Sequence, residues 1–190
     1  MIQSRRSKGS GGVWAKKVLK TGADLFGKSD HPVVVPPFYC DFGCHIEVGK
    51  GFYANYGCTI NDVAKVTIGE RCLLGPHVSI FTAGHPVHPA SRSTGWTYGI
   101  PVTIGDDCWI GGCSIILPGI TIGCGSVIGA GSVVTKDIPP MSIAVGNPCH
   151  VKKTITNKDF LLYFHDRAFD QMAWPDVMAS FQSFSQRQKP

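Results

Sequence analysis

The chain has 190 residues, 43% of them hydrophobic and 16% charged, with a formal net charge of +5. That composition fits one globular domain with terminal appendages and excludes a chain disordered throughout. The charge is too mild for a nucleic-acid binder, no basic helix accompanies it, and no long apolar run or signal peptide marks a membrane or secreted protein, so a reducing cytoplasm is the expected compartment.

Residues 1–12 are polar, basic and glycine-rich and read as a disordered segment. Val13 to Phe26 is predicted to form a short helix, with Trp14, Val18 and Leu25 on one face and Gly27 as a stop signal. With the proline-rich stretch 31–37 it makes an N-terminal helix and linker over 13–37. From 38 to 153 the expected fold is a solenoid. Ile104, Ile110, Ile116, Ile122, Ile128 and Val134 recur every six residues, and Gly105, Gly111, Gly123 and Gly129 follow four of them. That period is neither the 3.6 of a helix nor a simple alternation, and it is the period of a hexapeptide β-helix. Upstream the beat runs through Phe42, Val48, Ala54 and Ile60, gains two residues around 62–65, and resumes at Ile68, Leu74 and Ile80. Positions four later supply a second inward residue: Ile46, Phe52, Cys58, Cys72, Val78, Cys108, Ser114, Ile120, Ser126 and Ser132. Three strands and three turns then make one coil, and stacking makes the core continuous. None of the eight cysteines sits in a CxxC pair, so Cys58, Cys72 and Cys108 read as buried thiols rather than ligands or disulfides.

After Ile80 the beat breaks for a loop, 81–101, that carries Gly84-His85-Pro86-Val87-His88. An interruption in a regular wall is where chemistry is expected. Residues 154–190 read as a C-terminal helical extension. Phe160, Phe164 and Ala168 form one helical stripe, Pro175 breaks it, and Val177, Phe181 and Phe184 form a second.

Pro37-Phe38-Tyr39-Cys40-Asp41, Phe52-Tyr53-Ala54-Asn55, the histidine motif, Trp109-Ile110-Gly111, Val127-Ile128-Gly129-Ala130-Gly131-Ser132 and Thr135-Lys136-Asp137-Ile138-Pro139-Pro140 occur in this order. Together, over about residues 25–153, they resemble the maltose/galactoside O-acetyltransferase family. The resemblance implies a mainly β protein, a left-handed parallel β-helix whose hand departs from the usual right-handed crossover. It implies a homotrimer with active sites between subunits, acetyl-CoA as cosubstrate, and a small-molecule hydroxyl acceptor, with no metal. By the same resemblance, His85 is the general base, Asn55 contacts the acceptor near the reacting centre, and the Gly112 N–H stabilises the oxyanion. Asp41, Tyr53 and Trp96 are the further acceptor-side candidates. Trp109, Ala130, Thr135 and Lys136 match positions along the CoA arm, with His150 and Lys153 near its phosphates, where His150 replaces the arginine frequent in the family. The chain is short before Pro37, and its loop reads Ser91-Arg92-Ser93-Thr94-Gly95-Trp96-Thr97, so the acceptor is open between a sugar and a flatter alcohol. Two other readings compete. His45, His77, His85 and His88 raise a γ-class carbonic anhydrase-like zinc enzyme, although its motif spacing is absent. The other is a catalytically silent scaffold.

Overall fold

The computed structural model describes residues 25–164, 167–169 and 174–187, and the chain divides after Lys153 into two compact units. The first is a three-sided parallel β-solenoid of about six coils. One face stacks Val33–Val34, Tyr53–Ala54, Leu73–Leu74, Trp109–Ile110, Val127–Ile128, Ser142–Val145 and His150–Thr154. The second stacks Phe38–Cys40, Cys58–Asn61, Ser79–Phe81, Ile115–Ile116 and Val133–Val134. The third stacks Ile46–Val48, Val66–Ile68, Val102–Ile104 and Thr121–Ile122, extended by single bridges at Lys28 and Ile138.

The six-residue beat maps onto this architecture directly. Every aliphatic residue of the series from Ile104 to Val134 is buried, and each stacks on its counterpart one coil away: Ile104 on Ile122, Ile110 on Ile128, Ile116 on Val134. Each such side chain taken out of water contributes roughly 1.5–3 kcal/mol. The small inward residues have a second use. The thiols of Cys58, Cys72 and Cys108 lie 3.3, 3.0 and 3.2 Å from the carbonyls of Gly75, Gly105 and Gly123, each one coil further on. Ser114 donates to the Gly129 carbonyl at 3.1 Å in the same way. A corner carbonyl that turns inward therefore meets a donor instead of an apolar wall.

Two departures from the beat shape everything else. Ile60 pairs with Ile80, twenty residues on, whereas Ile116 pairs with Val134, eighteen on, so the coil through 62–65 does carry two extra residues. The preceding coil is equally long, because Cys40 pairs with Ile60. The inward residue there is Cys40, and Phe42, expected inside, stands 62% exposed on the added corner. The second departure is the insertion. Ile80 pairs with Ile116 and Ile68 with Ile104 as though nothing lay between them. Arg71 closes the seam, its guanidinium donating to both carboxylate oxygens of Asp107 at 2.7 and 3.0 Å.

The outward columns differ sharply between faces. On the third face Glu47, Thr67, Thr103 and Thr121 stand in register. On the first, Val33, Tyr53, Leu73, Trp109, Val127 and Ile143 form an apolar column, with Val33, Leu73 and Trp109 exposed.

The predicted N-terminal helix lies outside the described residues except for its last two. Leu25 and Phe26 are buried in a turn, and the Phe26 ring meets Phe38 and Phe52 edge-on at 5.7 and 6.1 Å, filling the first coil.

The second unit corrects the C-terminal reading. The Phe160, Phe164, Ala168 stripe is not helical. Asp159–Leu161 is a single 3-10 turn, and Leu162–Phe164 pairs antiparallel with Arg167–Ala168. A stretch this short leaves helix and strand indistinguishable by periodicity. Pro175 does not break a helix; it sits in the first turn of Trp174–Arg187, where a missing N–H costs nothing. Phe181 of that helix packs on Phe160 at 4.1 Å between ring centroids.

Candidate active site

The inserted loop is held by its own backbone. Ala83–Gly84 and Tyr98–Gly99 form a short antiparallel stem, closed by Ile100 N–H donating to the Thr82 carbonyl at 2.8 Å. Gly84 is required in this stem, because a Cβ there would run into the Tyr98 phenol. His85 follows immediately, with an exposed ring. Its Nδ1 lies 3.0 Å from the carbonyl oxygen of Trp96, with the Thr97 hydroxyl at 3.4 Å. A carbonyl oxygen can only accept, so Nδ1 carries the proton and donates. The Nε2 lone pair then has no protein partner among the described residues.

The second histidine of the motif is different in kind. His88 Nδ1 accepts from Ala90 N–H at 3.2 Å and caps the short helix Pro89–Arg92. Arg92 reaches back and donates to the Val87 carbonyl at 2.9 Å. Both residues brace the segment that carries His85. Trp96 is exposed at the loop's far side.

On the solenoid wall, Asn55, Gly75, Gly111 and Gly129 mark one corner, each N–H bonded to the carbonyl of the next coil's Leu74, Ile110, Ile128 or Ala144. Asn55 is thus in register with Gly111 and Gly129, and Gly112 and Ala130 each stand one residue further around the same corner, at the end of the first face beside the Tyr53 and Trp109 column. The Asn55 side-chain oxygen accepts from Tyr56 N–H at 2.8 Å, which leaves its amide NH2 without a protein partner among the described residues. Small residues are enforced at this corner. A Cβ on Gly75 would approach Gly112 N to 2.6 Å, and one on Gly111 would approach Ala130 N to 2.5 Å. The result is a close-packed backbone corner, partly exposed at Gly112 and exposed at Ala130, beside the exposed Trp109 indole, a shape that suits an extended amide-bearing arm. Thr135 and Lys136 are exposed at the following corner, and His150 and Lys153 on the last strand of the first face.

Asp41 lies at the corner that ends the second face, the same corner that Thr135 and Lys136 occupy four coils on. There its backbone N–H and that of Phe42 both donate to one oxygen of the fully buried Asp62, at 3.0 and 2.9 Å. Burial, reinforced by the neighbouring Asp62 carboxylate, pushes the Asp41 carboxyl above its ordinary range, and a hydrogen bond from the Asn61 amide pulls it back. The inserted loop departs from this same corner. In one chain, then, the residues fall into two groups. His85, Trp96 and Asp41 belong to the corner that follows the second face, and Tyr53, Asn55, Trp109, Gly112 and Ala130 to the corner that precedes it. No hydrogen bond or ring contact joins the groups among the described residues. Asn61 and Asp62 escaped the sequence reading, which registered only that two residues were extra around them.

A model of the hexapeptide repeat of succinyl-transferase matches residues 101–136. The galactoside O-acetyltransferase of Escherichia coli K12 is 50% identical over 133 residues, covering 70% of this chain and 66% of that protein. Two solved structures superpose. A galactoside acetyltransferase in complex with coenzyme A gives a TM-score of 0.77 at 45% identity, over 78% of this chain and 75% of that one. A maltose O-acetyltransferase from Clostridium difficile 630 gives 0.69 at 53%, over 70% and 72%. With the solenoid, the interrupting histidine loop and these likenesses in place, the chain belongs to the hexapeptide-repeat acetyltransferase family of galactoside and maltose O-acetyltransferases.

Proposed function

We propose that the protein moves an acetyl group from acetyl-CoA to a hydroxyl of a small molecule, directly within a ternary complex, with His85 as general base. The observation that carries this reading is the Nδ1 hydrogen bond to the Trp96 carbonyl, which selects the tautomer whose Nε2 accepts a proton. The acceptor hydroxyl loses its proton to Nε2 as its oxygen attacks the thioester carbonyl. Negative charge then develops on that carbonyl oxygen, where the Gly112 N–H is the donor. Collapse breaks the carbon–sulfur bond, and the thiolate takes the proton back from the imidazolium. Asn55 supplies its unengaged NH2 to the acceptor oxygen. Asp41, Tyr53 and Trp96 complete the acceptor side, a carboxylate and two aromatic faces suited to a polyhydroxylated ring.

The corner beside Trp109 is the CoA track, running past Gly112 and Ala130, with Thr135, Lys136, His150 and Lys153 toward the phosphates. The thioester brings the activated acyl group, and the chain's residues hold and polarise it. Because the two groups of residues lie at different corners, a complete site needs the loop of one copy against the wall of another. The apolar column of the first face is the surface such an assembly would cover, and a homotrimer closes the arrangement. Among the described residues no helix is long and apolar enough to cross a membrane. Free thiols and a CoA thioester donor fit a reducing cytoplasm. Among the described residues no group of three or more His, Cys, Asp or Glu side chains is arranged to hold a metal ion, and no observation favours a zinc enzyme.

Thiol release from acetyl-CoA, measured against a panel of galactosides, maltose and hydrophobic alcohols, tests the reaction. Turnover with a hydroxyl acceptor is expected. Folded protein that releases no CoA with any of them would overturn the reading. Sedimentation equilibrium tests the assembly, with three times the monomer mass as the expected result.

A further inference from the structure

We infer that Asn61 is a positioning residue for the transfer, because its side-chain amide ties the Asp41 carboxylate to the root of the loop that carries His85. The inference rests on the reading of His85 as base and Asp41 as an acceptor contact. Asn61 closes the Cys58–Asn61 strand at the corner where the loop begins. Its Nδ2 donates to an Asp41 carboxylate oxygen. Its Oδ1 accepts from the Ala83 N–H at 3.1 Å, two residues before His85. The orientation is unique. A backbone N–H can only donate and an ionised carboxylate can only accept, so a flipped amide would set donor against donor and acceptor against acceptor.

The surrounding bonds show that this corner is a clasp. The Asn61 carbonyl accepts from the Thr82 hydroxyl at 2.7 Å and from Thr82 N–H at 3.2 Å. The Thr82 side chain, fully buried, accepts in turn from Ala64 N–H at 2.9 Å. These bonds hold the chain leaving the solenoid, and they survive any change to the Asn61 side chain. What the amide adds is specific: it joins the loop's first strand at Ala83 to the Asp41 carboxylate, forty-two residues apart in sequence. A leucine at 61 keeps the size but leaves the Ala83 N–H without this acceptor and Asp41 without this donor. An aspartate keeps the acceptor for Ala83 but sets a second carboxylate against Asp41.

Four variants of the full chain separate these effects: N61L, N61D, D41N and the D41N/N61D pair, compared with H85A. The assay is CoA thiol release with the best acceptor of the panel, together with amide hydrogen exchange and thermal unfolding. N61L and N61D are expected to lower kcat at least tenfold, with KM for acetyl-CoA within twofold and unfolding temperature little changed. Exchange at the Ala83 amide should accelerate at least tenfold in N61L while the Trp109 amide is unaffected. In the pair, position 41 supplies the donor and position 61 the acceptor, and both D41N and the pair lack the Asp41 carboxylate, so kcat of the pair should match that of D41N within about threefold. N61L at wild-type kcat, or a pair far below D41N, overturns the inference. Should H85A keep its turnover, the base reading fails. Should H85A be inactive and N61L normal, only the role of Asn61 fails.

Discussion

The coils from Val102 to Val145 and the corner around Asn61 and Thr82 are built from the same chain by opposite means. In the regular coils, stability is stacked: like packs on like, Ile110 on Ile128 and Ile116 on Val134, and small inward donors such as Cys108 and Ser114 find the next coil's carbonyl. Apart from the proposed CoA track along Trp109, Gly112 and Ala130, nothing in that packing is specific to a reaction. At the interrupted corner, apolar packing gives way to polar bonds between residues distant in sequence, among them Asp41, Asn61, Asp62, Thr82 and Ala83. Among the described residues, one oxygen of the buried Asp62 has no hydrogen-bond partner, a kind of cost the regular coils avoid. The wall is thus over-determined by packing and tolerant of chemistry, while the corner is poised by polar geometry and tolerant of little.

That contrast can be broken in several ways. If His85 is the base, as proposed, changing it to alanine should cut kcat by about 10²–10⁴-fold while the solenoid unfolds at its usual temperature. A large fall in melting temperature would mean that the loop supports the coils and that the division is false. Ile110→Ala should do the reverse. It empties a fully buried position and should cost about 2–5 kcal/mol in denaturant unfolding, with little effect on KM at temperatures where the protein remains folded. Arg71→Ala probes the seam between the regions. It removes a partly exposed bidentate ion pair, for which about 1 kcal/mol is expected, and a loss of activity larger than the loss of stability would show that the seam also sets the loop.

The smallest effect concerns pH. Burial holds the Cys58 thiol above its ordinary value of 9.0. Above pH 9 the unfolded chain has therefore released a proton that the folded chain still holds, and stability declines as pH rises, by at most about 1.4 kcal/mol per pH unit for one thiol. Below pH 9 this thiol contributes no slope. Cys58→Ser retains a donor for the Gly75 carbonyl and should flatten the alkaline limb; parallel curves for the two proteins between pH 8 and 10 would rule the thiol out.

What was legible in the residues follows the same line. Stacked regions print their period, so Ile104 to Val134, the inward cysteines and the interruption after Ile80 could all be read from spacing alone. His85 stood out because a motif marked it. The Asn61 clasp had no such signature, since its members recur about twenty residues apart only because two coils are longer than the rest. Phe42 was misplaced for the same reason: the beat was carried back at six where the chain takes eight. The C-terminal stripe failed differently, because Phe160 to Ala168 is too short for periodicity to distinguish a turn and hairpin from a helix.

The uninterrupted pairing of Ile80 with Ile116 and Ile68 with Ile104 has one more consequence. A ladder that closes on itself beneath an inserted segment behaves as a socket. The segment between Phe81 and Pro101 can be exchanged for one of another length without asking any coil to shift register, provided that its two ends meet where Thr82 and Ile100 now meet. On the proposed reading, acceptor range and scaffold stability can then drift independently, the first by altering what is plugged in around His85, the second by repacking what it is plugged into.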